Sequence, residues 1–551
     1  MREYLAQRGE RDDGLSALKN YPFFIFLSIN CRYAAATLLI VTFAFPIKTG
    51  VLYNAQHIHM NSLRNTNRAY ALSFALLVVL LGGLMLRNNR SSVPASADTT
   101  TPEADTTYKV SMLFAGDVMM HSPQLDAAYN ATDGQYYFND NYRFVKPLIS
   151  NYDLAIANLE TTLPGDNYSG YPQFGSPDNL AKSLAWAGFD ILANANNHAA
   201  DKGDKGIQRT IDIVEYEGMQ HTGSYKDTIN RENENPLIII RNNIKIAILN
   251  YTYGTNGIKV NKPYIINPID TALIRADLKK AKYYQPDYTI VFFHWGNEYQ
   301  RNPDATQRKV AEFTFESGAD LIIGAHPHVV QPIEEISFRR GGKKHTGVVF
   351  WSLGNYISNQ RNQYQDGGIM AHLELTKNTK KGETTLTDYA YIPAWVNKAS
   401  RTAQKDYFIL PVSMYQADTT IFEINKAENY KFKLFANDTR AHLKATKEYK
   451  YPISQRTDTA TFNKIKPYYE VQVMFSADDK DPLSLLNEFS MNSDTLARLC
   501  DCKPTFSKQK INTGQYRYYF NELPKIENAR KVARKLREYG VDKALIQVVY
   551  K

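Results

Sequence analysis

Apolar runs of strand length recur between Lys109 and Asn355: KVSMLFAGD, LAIANLE, DILANANNH, KIAILNY, YTIVFFHWG, ADLIIGAHPH and GVVFWSLGN. Nearly every one stops in a polar or glycine-bearing segment. Helical patterns, such as 179–187 and 306–317, fall between several of them. Strands this continuously apolar belong in a sheet covered on both faces, which makes residues 108–449 an α/β domain. In such sheets the polar groups just beyond the strand ends build the site.

Those ends carry an unusual set of donors. AGDVMMH offers Asp117 and His121, NLE offers Asn158 and Glu160, and NANNH offers Asn197 and His198. FFHWG adds His294, and GAHPH adds His326 and His328. Five of the 11 histidines therefore sit in these short segments. Carboxylate oxygen, amide oxygen and imidazole nitrogen together suit Mn, Fe or Zn better than Ca, which takes an all-oxygen shell. Two histidines one residue apart at a strand end can serve neighbouring ions instead of crowding one. Each residue also has an ordinary alternative role. Asp117 can cap a helix, His294 can be a hydrogen-bonded core residue, Glu160 a surface carboxylate and Asn197 a turn residue. Their joint placement at strand ends of one domain favours a metal site.

The segments FAGDVMMH, ANLETTL, NANNHAADKG, HWGNEY, GAHPHVVQ and SLGNYI, in this order, resemble the CapA family over residues 108–375. These are poly-γ-glutamate or capsule synthesis proteins, a branch of the calcineurin-like metallophosphoesterases. The resemblance implies a four-layer αββα sandwich around one or two divalent ions. It implies that Asp117 and His328 hold one ion, that Asn197, His294 and His326 hold the other, and that Glu160 bridges them. His198 would stand beside the leaving group as the acid, with His121 and Asn158 as outer partners or further ligands. The chain departs from the usual pattern twice: His121 follows Asp117 by four residues where metallophosphoesterases have D-x-H, and Glu160 stands where an aspartate is usual.

Residues 450–467 read as a linker, and 468–551 as a small α+β unit of order β-α-β-β-α-β, ferredoxin-like. Tyr469, Val471, Val473 and Phe475 alternate onto one face, while Ala529, Val532, Ala533 and Leu536 form a helical stripe ended by Gly540. YEVQVMF, YRYYFN and ARKVARKLREYG resemble a SPOR domain, a module that binds peptidoglycan glycan strands, although Phe520-Asn521 stand where a glycine is usual. By that resemblance Gln472, Tyr516 and Tyr518 would line the glycan site; packing of a core is the ordinary role for such tyrosines.

Toward the other end, residues 69–86 (AYALSFALLVVLLGGLML) carry no charge and are flanked by Arg64, Arg68, Arg87 and Arg90. As a helix this stretch is about 27 Å long, near the hydrocarbon thickness of a bilayer, and the flanking arginines mark an uncleaved signal-anchor. Residues 87–107 read as a polar tether, and 1–59 as an extension preceding a start at Met60. The net charge of +9 is spread along the chain without a dense basic run, which argues against nucleic acid as a partner. Cys31, Cys500 and Cys502 supply neither a zinc set nor good disulfide geometry. The expectation is a membrane-anchored, extracytoplasmic, metal-dependent hydrolase-like protein of the envelope, its partners an anionic polymer and peptidoglycan. The rival is a non-enzymatic tether of such a polymer to the wall.

Overall fold

A computed structural model describes residues 106–401, 404–416, 424–450, 467–477, 479–482, 484–485, 505–511, 515–539 and 541–550. The chain divides into two units, residues 1–99 and 100–551. The first lies outside the described residues, and with it the expected extension, the apolar stretch 69–86 and Cys31. Most of both linkers, Cys500 and Cys502 also lie outside them. Among the described residues no helix is long and apolar enough to cross a membrane.

In the second unit β1 (Thr107–Val118), β2 (Leu154–Leu159), β3 (Ile191–Ala193) and β4 (Gln220–Thr222) pair in parallel. The next sheet begins with β5 (Leu237–Arg241) and β6 (Ile244–Thr252), and continues in parallel through β7 (Tyr288–His294) and β8 (Leu321–Ala325). β9 (Ile333–Arg340) and β10 (Lys343–Phe350) form its outer hairpin. The chain then returns to the first sheet with β11 (Asn355–Ile357), β12 (Gly367–Asn378), β13 (Glu383–Arg401) and β14 (Gln404–Pro411). The first sheet runs in the order β14-β13-β12-β1-β2-β3-β4, with β11 pairing on β1.

The two sheets pack face to face. Val110, Met112, Phe114 and Ile156 meet Ile246, Ile248, Ile290, Phe292 and Ile323 in one buried cluster. Alternate residues of the same strands face outward. Leu113, Ala155, Ala157 and Leu192 lie under α2 (Asn179–Ala187), α3 (Gly203–Tyr216) and α7 (Lys426–His442), all of which follow α1 (Ser122–Ala128) in the chain. Leu249, Val291, Phe293 and Ile322 lie under α5 (Thr271–Tyr283) and α6 (Ala305–Ser317), which come after α4 (Thr228–Glu234). This is the four-layer αββα sandwich. Each aliphatic or aromatic side chain so enclosed stabilises the fold by roughly 1.5–3 kcal/mol. The helix ends follow from local chemistry: Asp304 accepts from the Gln307 backbone N–H at 2.8 Å while the Gln307 side chain returns to the Asp304 N–H at 2.9 Å. α7 runs from an Asn425–Glu428 capping box to His442, and Glu448 forms a bridge with Tyr391.

The tail contributes β15 (Tyr468–Ser476), β16 (Thr505–Lys510), β17 (Tyr516–Leu523), α8 (Ile526–Glu538) and β18 (Leu545–Tyr550). Their sheet order, β18-β15-β17-β16, is that of a ferredoxin-like unit, and α8 buries the expected Ala529, Val532, Ala533 and Leu536. The unit does not carry a separate sheet. β18 pairs in parallel with β5, so that ten strands run continuously from β9 to β16. Arg530 of α8 binds Glu234 through Nε at 2.7 Å and Glu215 through Nη1 at 3.0 Å, and Gln220 donates to the Tyr469 hydroxyl at 3.0 Å.

Candidate metal centre

Parallel strands from both sheets open their carboxyl ends toward one another. Asp117 closes β1, Asn158 and Glu160 end β2, and Asn197 and His198 follow β3. His294 ends β7, and His326 and His328 follow β8. The close approach has a backbone requirement. A Cβ on Gly116 would lie 2.0 Å from the Gly354 carbonyl oxygen, so only glycine lets β1 reach the site at Asp117.

All of these side chains are buried. Asn158 Nδ2 lies 2.8 Å from Asp117 Oδ1 and 3.2 Å from His294 Nδ1, tying the two sheets together. His294 Nε2 lies 2.7 Å from Asn197 Oδ1 and 3.4 Å from Glu160 Oε1. His328 Nδ1 lies 3.1 Å from Asp117 Oδ2, and its Nε2 lies 4.0 Å from Glu160 Oε1. The His326 backbone N–H donates to Asp117 Oδ2 at 3.3 Å. His326 and His328 hold φ of 100° and 58°, the left-handed region, which a non-glycine residue occupies only when its surroundings enforce it.

Two donor sets result: Asp117, Glu160 and His294, and Glu160, His326 and His328, each with ligand atoms within 4.8 Å of one another. They share Glu160. Asp117 also faces His328 through Oδ2, so it borders both sets. Asn197 lies beside His294.

Charge and burial test whether these residues fit a divalent ion. Burial, and next the Asp117 charge, push the Glu160 carboxyl well above its usual range. Burial alone would raise Asp117, but hydrogen bonding and charge from His328 bring it below its ordinary value. Burial would lower His328, yet the charge of Glu160 and the hydrogen bond and charge of Asp117 lift it to about 9. Burial brings His294 down to about 3 and His326 well below its usual value. Among the described residues no lysine or arginine pairs with either carboxylate. Both Glu160 oxygens and His326 Nδ1 are buried without a hydrogen-bond partner. An uncompensated buried carboxylate costs several kcal/mol, and a cation between the two sets removes that cost. The donors therefore fit divalent metal binding.

His198 sits at the margin. Its Nδ1 lies 2.6 Å from Asp201 Oδ2, which also accepts the Phe174 backbone N–H at 2.6 Å, and the Phe174 ring packs edge-on to it at 4.7 Å. Asp201 escaped the sequence reading, although its place three residues after His198 was visible. Tyr253 escaped it too; its ring lies 4.6 Å from that of His326. His121 joins neither donor set. Its Nδ1 accepts the Asn359 backbone N–H at 3.3 Å and its ring abuts Phe174 at 5.1 Å, where it caps α1.

The expected glycan residues do not share a surface. Gln472 is fully buried and accepts from Gln547 Nε2 at 2.6 Å. Tyr518 is fully buried on the opposite face of the sheet, and its hydroxyl accepts the Lys480 backbone N–H at 2.7 Å. The two-residue period of a strand separates them: Arg517, which neighbours Tyr518, is the residue that reaches Gln547, at 3.1 Å. Tyr516 is half-buried beside Lys508, 5.6 Å from its ring. Gln472 and Tyr518 are thus closed to a glycan in this arrangement.

Residues 111–360 match the bacterial capsule synthesis protein PGA_cap. That span holds every donor of the centre. The capsule biosynthesis protein CapA of Bacillus anthracis is 28% identical over 274 residues, 46% of this chain and 60% of that protein. The PGA biosynthesis protein CapA of Bacillus subtilis strain 168 is 25% identical over 382 residues, 67% of this chain and 90% of that protein. The chain thus spans about three fifths of the first relative's length and about nine tenths of the second's. The CapA resemblance carried by the motifs is thereby supported. Among solved structures, the NAD nucleotidase NadN of Haemophilus influenzae is similar at a TM-score of 0.36 and 12% identity, covering 65% of this chain and 60% of that one. The 5'-nucleotidase of Candida albicans SC5314 is similar at 0.29 and 10%, covering 61% and 58%.

Proposed function

We propose that this protein is a metal-dependent hydrolase or transferase that acts on a phosphate- or amide-bearing anionic polymer of the envelope, in capsule or poly-γ-glutamate biosynthesis. The observation that carries the reading is Glu160, fully buried, with neither oxygen hydrogen-bonded, between two sets of histidine and carboxylate donors. The capsule synthesis match over residues 111–360 supports the pathway. Mn, Fe or Zn suits the mixed nitrogen and oxygen donors.

In such a cage a divalent ion supplies a Lewis acid and brings the pKa of bound water toward 7. The protein's own groups do the rest. Asp117, Glu160, His294, His326 and His328 hold the charge in place, and Asn158 and Asn197 orient His294. Asp201 fixes the His198 ring through Nδ1, so that Nε2 is the nitrogen left to give a proton to a departing oxygen or nitrogen. Positioned proton transfer of this kind contributes about 10²–10⁴-fold. Anchoring at residues 69–86, an extracytoplasmic site and attachment of the tail to peptidoglycan belong to the same proposal and are supported by the sequence patterns alone.

The test is metal analysis of the purified full-length protein together with turnover of a generic phosphodiester, in wild type, His198→Ala and His326→Ala. Metal lost only in His326→Ala, with turnover lost in both, is the expected result. Stoichiometric metal with no turnover of phosphodiester or of any envelope polymer would favour the tether instead.

A further inference from the structure

We propose that a basic pocket beside the metal centre binds a small anionic group of the substrate, a carboxylate or a phosphate, and so holds the polymer across the centre. The identity of the ligand as a substrate group rests on the function proposed above; the pocket itself rests on its own geometry.

The pocket is a cavity of about 170 Å³ between α7, the 361–366 loop and the turn at Arg301. Pockets for whole small molecules run roughly 300–1,000 Å³, so the space suits one acidic group and not a nucleotide. Arg301, Arg361 and Lys431 bring three cations to it, against Asp366 and Asp438. The cations outnumber the acids by three to two, and both acids also accept hydrogen bonds from neutral groups. Asp366 accepts from Trp395 Nε1 at 2.8 Å, and Asp438 accepts from Gln363 Nε2 at 2.9 Å. Among the described residues none of the three cations forms an ion pair within 4.0 Å.

The guanidiniums are held ready. Arg361 Nη1 donates to the Val396 carbonyl at 2.9 Å. Arg301 lies 4.0 Å over the Tyr364 ring, and its Nε is buried with no acceptor. Tyr364 itself adopts φ of 72°, a conformation costly for an aromatic residue. Burial holds both arginines below their usual range, and an anion would relieve this. A planar fork of N–H donors matches the oxygens of a carboxylate or phosphate.

The centre and the pocket share their chain segments. Val330, on the pocket wall, is two residues past His328. Arg301 is two residues past Tyr299, whose ring lies 6.1 Å from that of His328. Two residues span at most about 7 Å. A polymer with regularly spaced acidic groups can therefore place one in the pocket while its neighbour reaches the metal site.

The experiment titrates the full-length protein with a glutamate oligomer and, separately, with inorganic phosphate, in wild type, Arg361→Gln, Lys431→Gln and His326→Ala. The expected result is that Arg361→Gln and Lys431→Gln weaken one or both ligands at least tenfold while metal content stays at the wild-type level. Loss with the glutamate oligomer identifies a carboxylate, and loss with phosphate alone a phosphate. Lys431 is exposed, so its variant tests the pocket even if Arg361→Gln melts early. Unchanged affinity for both ligands in Lys431→Gln overturns the pocket. Failure of the metal-centre reading looks different: wild type without metal, with anion affinities that still depend on Lys431.

Discussion

His198 Nδ1 lies 2.6 Å from Asp201 Oδ2, and this contact turns a strand-end histidine into an oriented one. The carboxylate fixes the ring and selects the nitrogen left for chemistry. Asp201→Asn should lower kcat on a phosphodiester by about 10–100-fold, the usual cost of losing an outer hydrogen-bond partner, without releasing metal. Kinetics beside metal analysis check this, and a variant that kept full kcat would refute the orienting role.

Glu160 belongs to both donor sets, so its loss should be felt in stability as well as in metal content. Chelation of wild type should lower Tm, since an ion at a hundred times its Kd contributes about 2.7 kcal/mol. Glu160→Gln should bind less metal, and its metal-free form should melt above metal-free wild type because a buried ionisable carboxyl without hydrogen-bond partners is gone. Calorimetry with and without chelator reads both effects.

Arg530 neutralises Glu215 and Glu234 where the tail meets α3 and α4. Arg530→Met takes the guanidinium from buried Glu234 and leaves Glu215 with only His221 and Lys226, and should destabilise the whole unit by about 3 kcal/mol. Adding Glu215→Gln and Glu234→Gln should restore part of that loss. Denaturant unfolding of the single and triple variants measures it; equal stability of Arg530→Met and wild type would mean the cluster contributes nothing.

Lys245 is half-buried on β6, and burial, followed by the charge of Arg517, lowers its pKa to about 7 against the opposing pull of Asp287 and Glu470. The unfolded chain keeps an ordinary lysine near 10.4. Below pH 7 both states are charged and the folded one carries the full penalty; between pH 7 and about 10 the unfolded chain binds more protons, so stability rises with pH. Lys245→Met should therefore stabilise by about 1–3 kcal/mol at pH 6 and by little at pH 10. Melting curves across that range would show it, and an advantage independent of pH would contradict the assignment.

The strands and donors were legible because buried parallel strands announce themselves as apolar runs, and their ends must turn polar where they leave the core. The link that Asn158 makes from Asp117 to His294 was not legible, since it depends on how closely two sheets approach each other. Asp201 went unread because an aspartate in a turn is unremarkable until its histidine faces it. Gln472 and Tyr518 were misjudged for a related reason: strand alternation assigns faces, but not what covers them. The shared sheet was hidden as well. Leu237-Ile238-Ile239-Ile240 reads as an interior strand whatever lies beside it, and nothing in its letters names residues 545–550 as the neighbour.

That neighbour has a consequence for biogenesis. Until residues 545–550 arrive, Leu237–Arg241 is a bare, greasy border whose unmet amides invite any passing strand. Pairing segments so distant in the chain is slow to nucleate, so a nascent or translocating molecule passes through a stage in which that border is exposed. Holding it apart from other copies until synthesis is nearly done is then a task for chaperones of whichever compartment receives the chain.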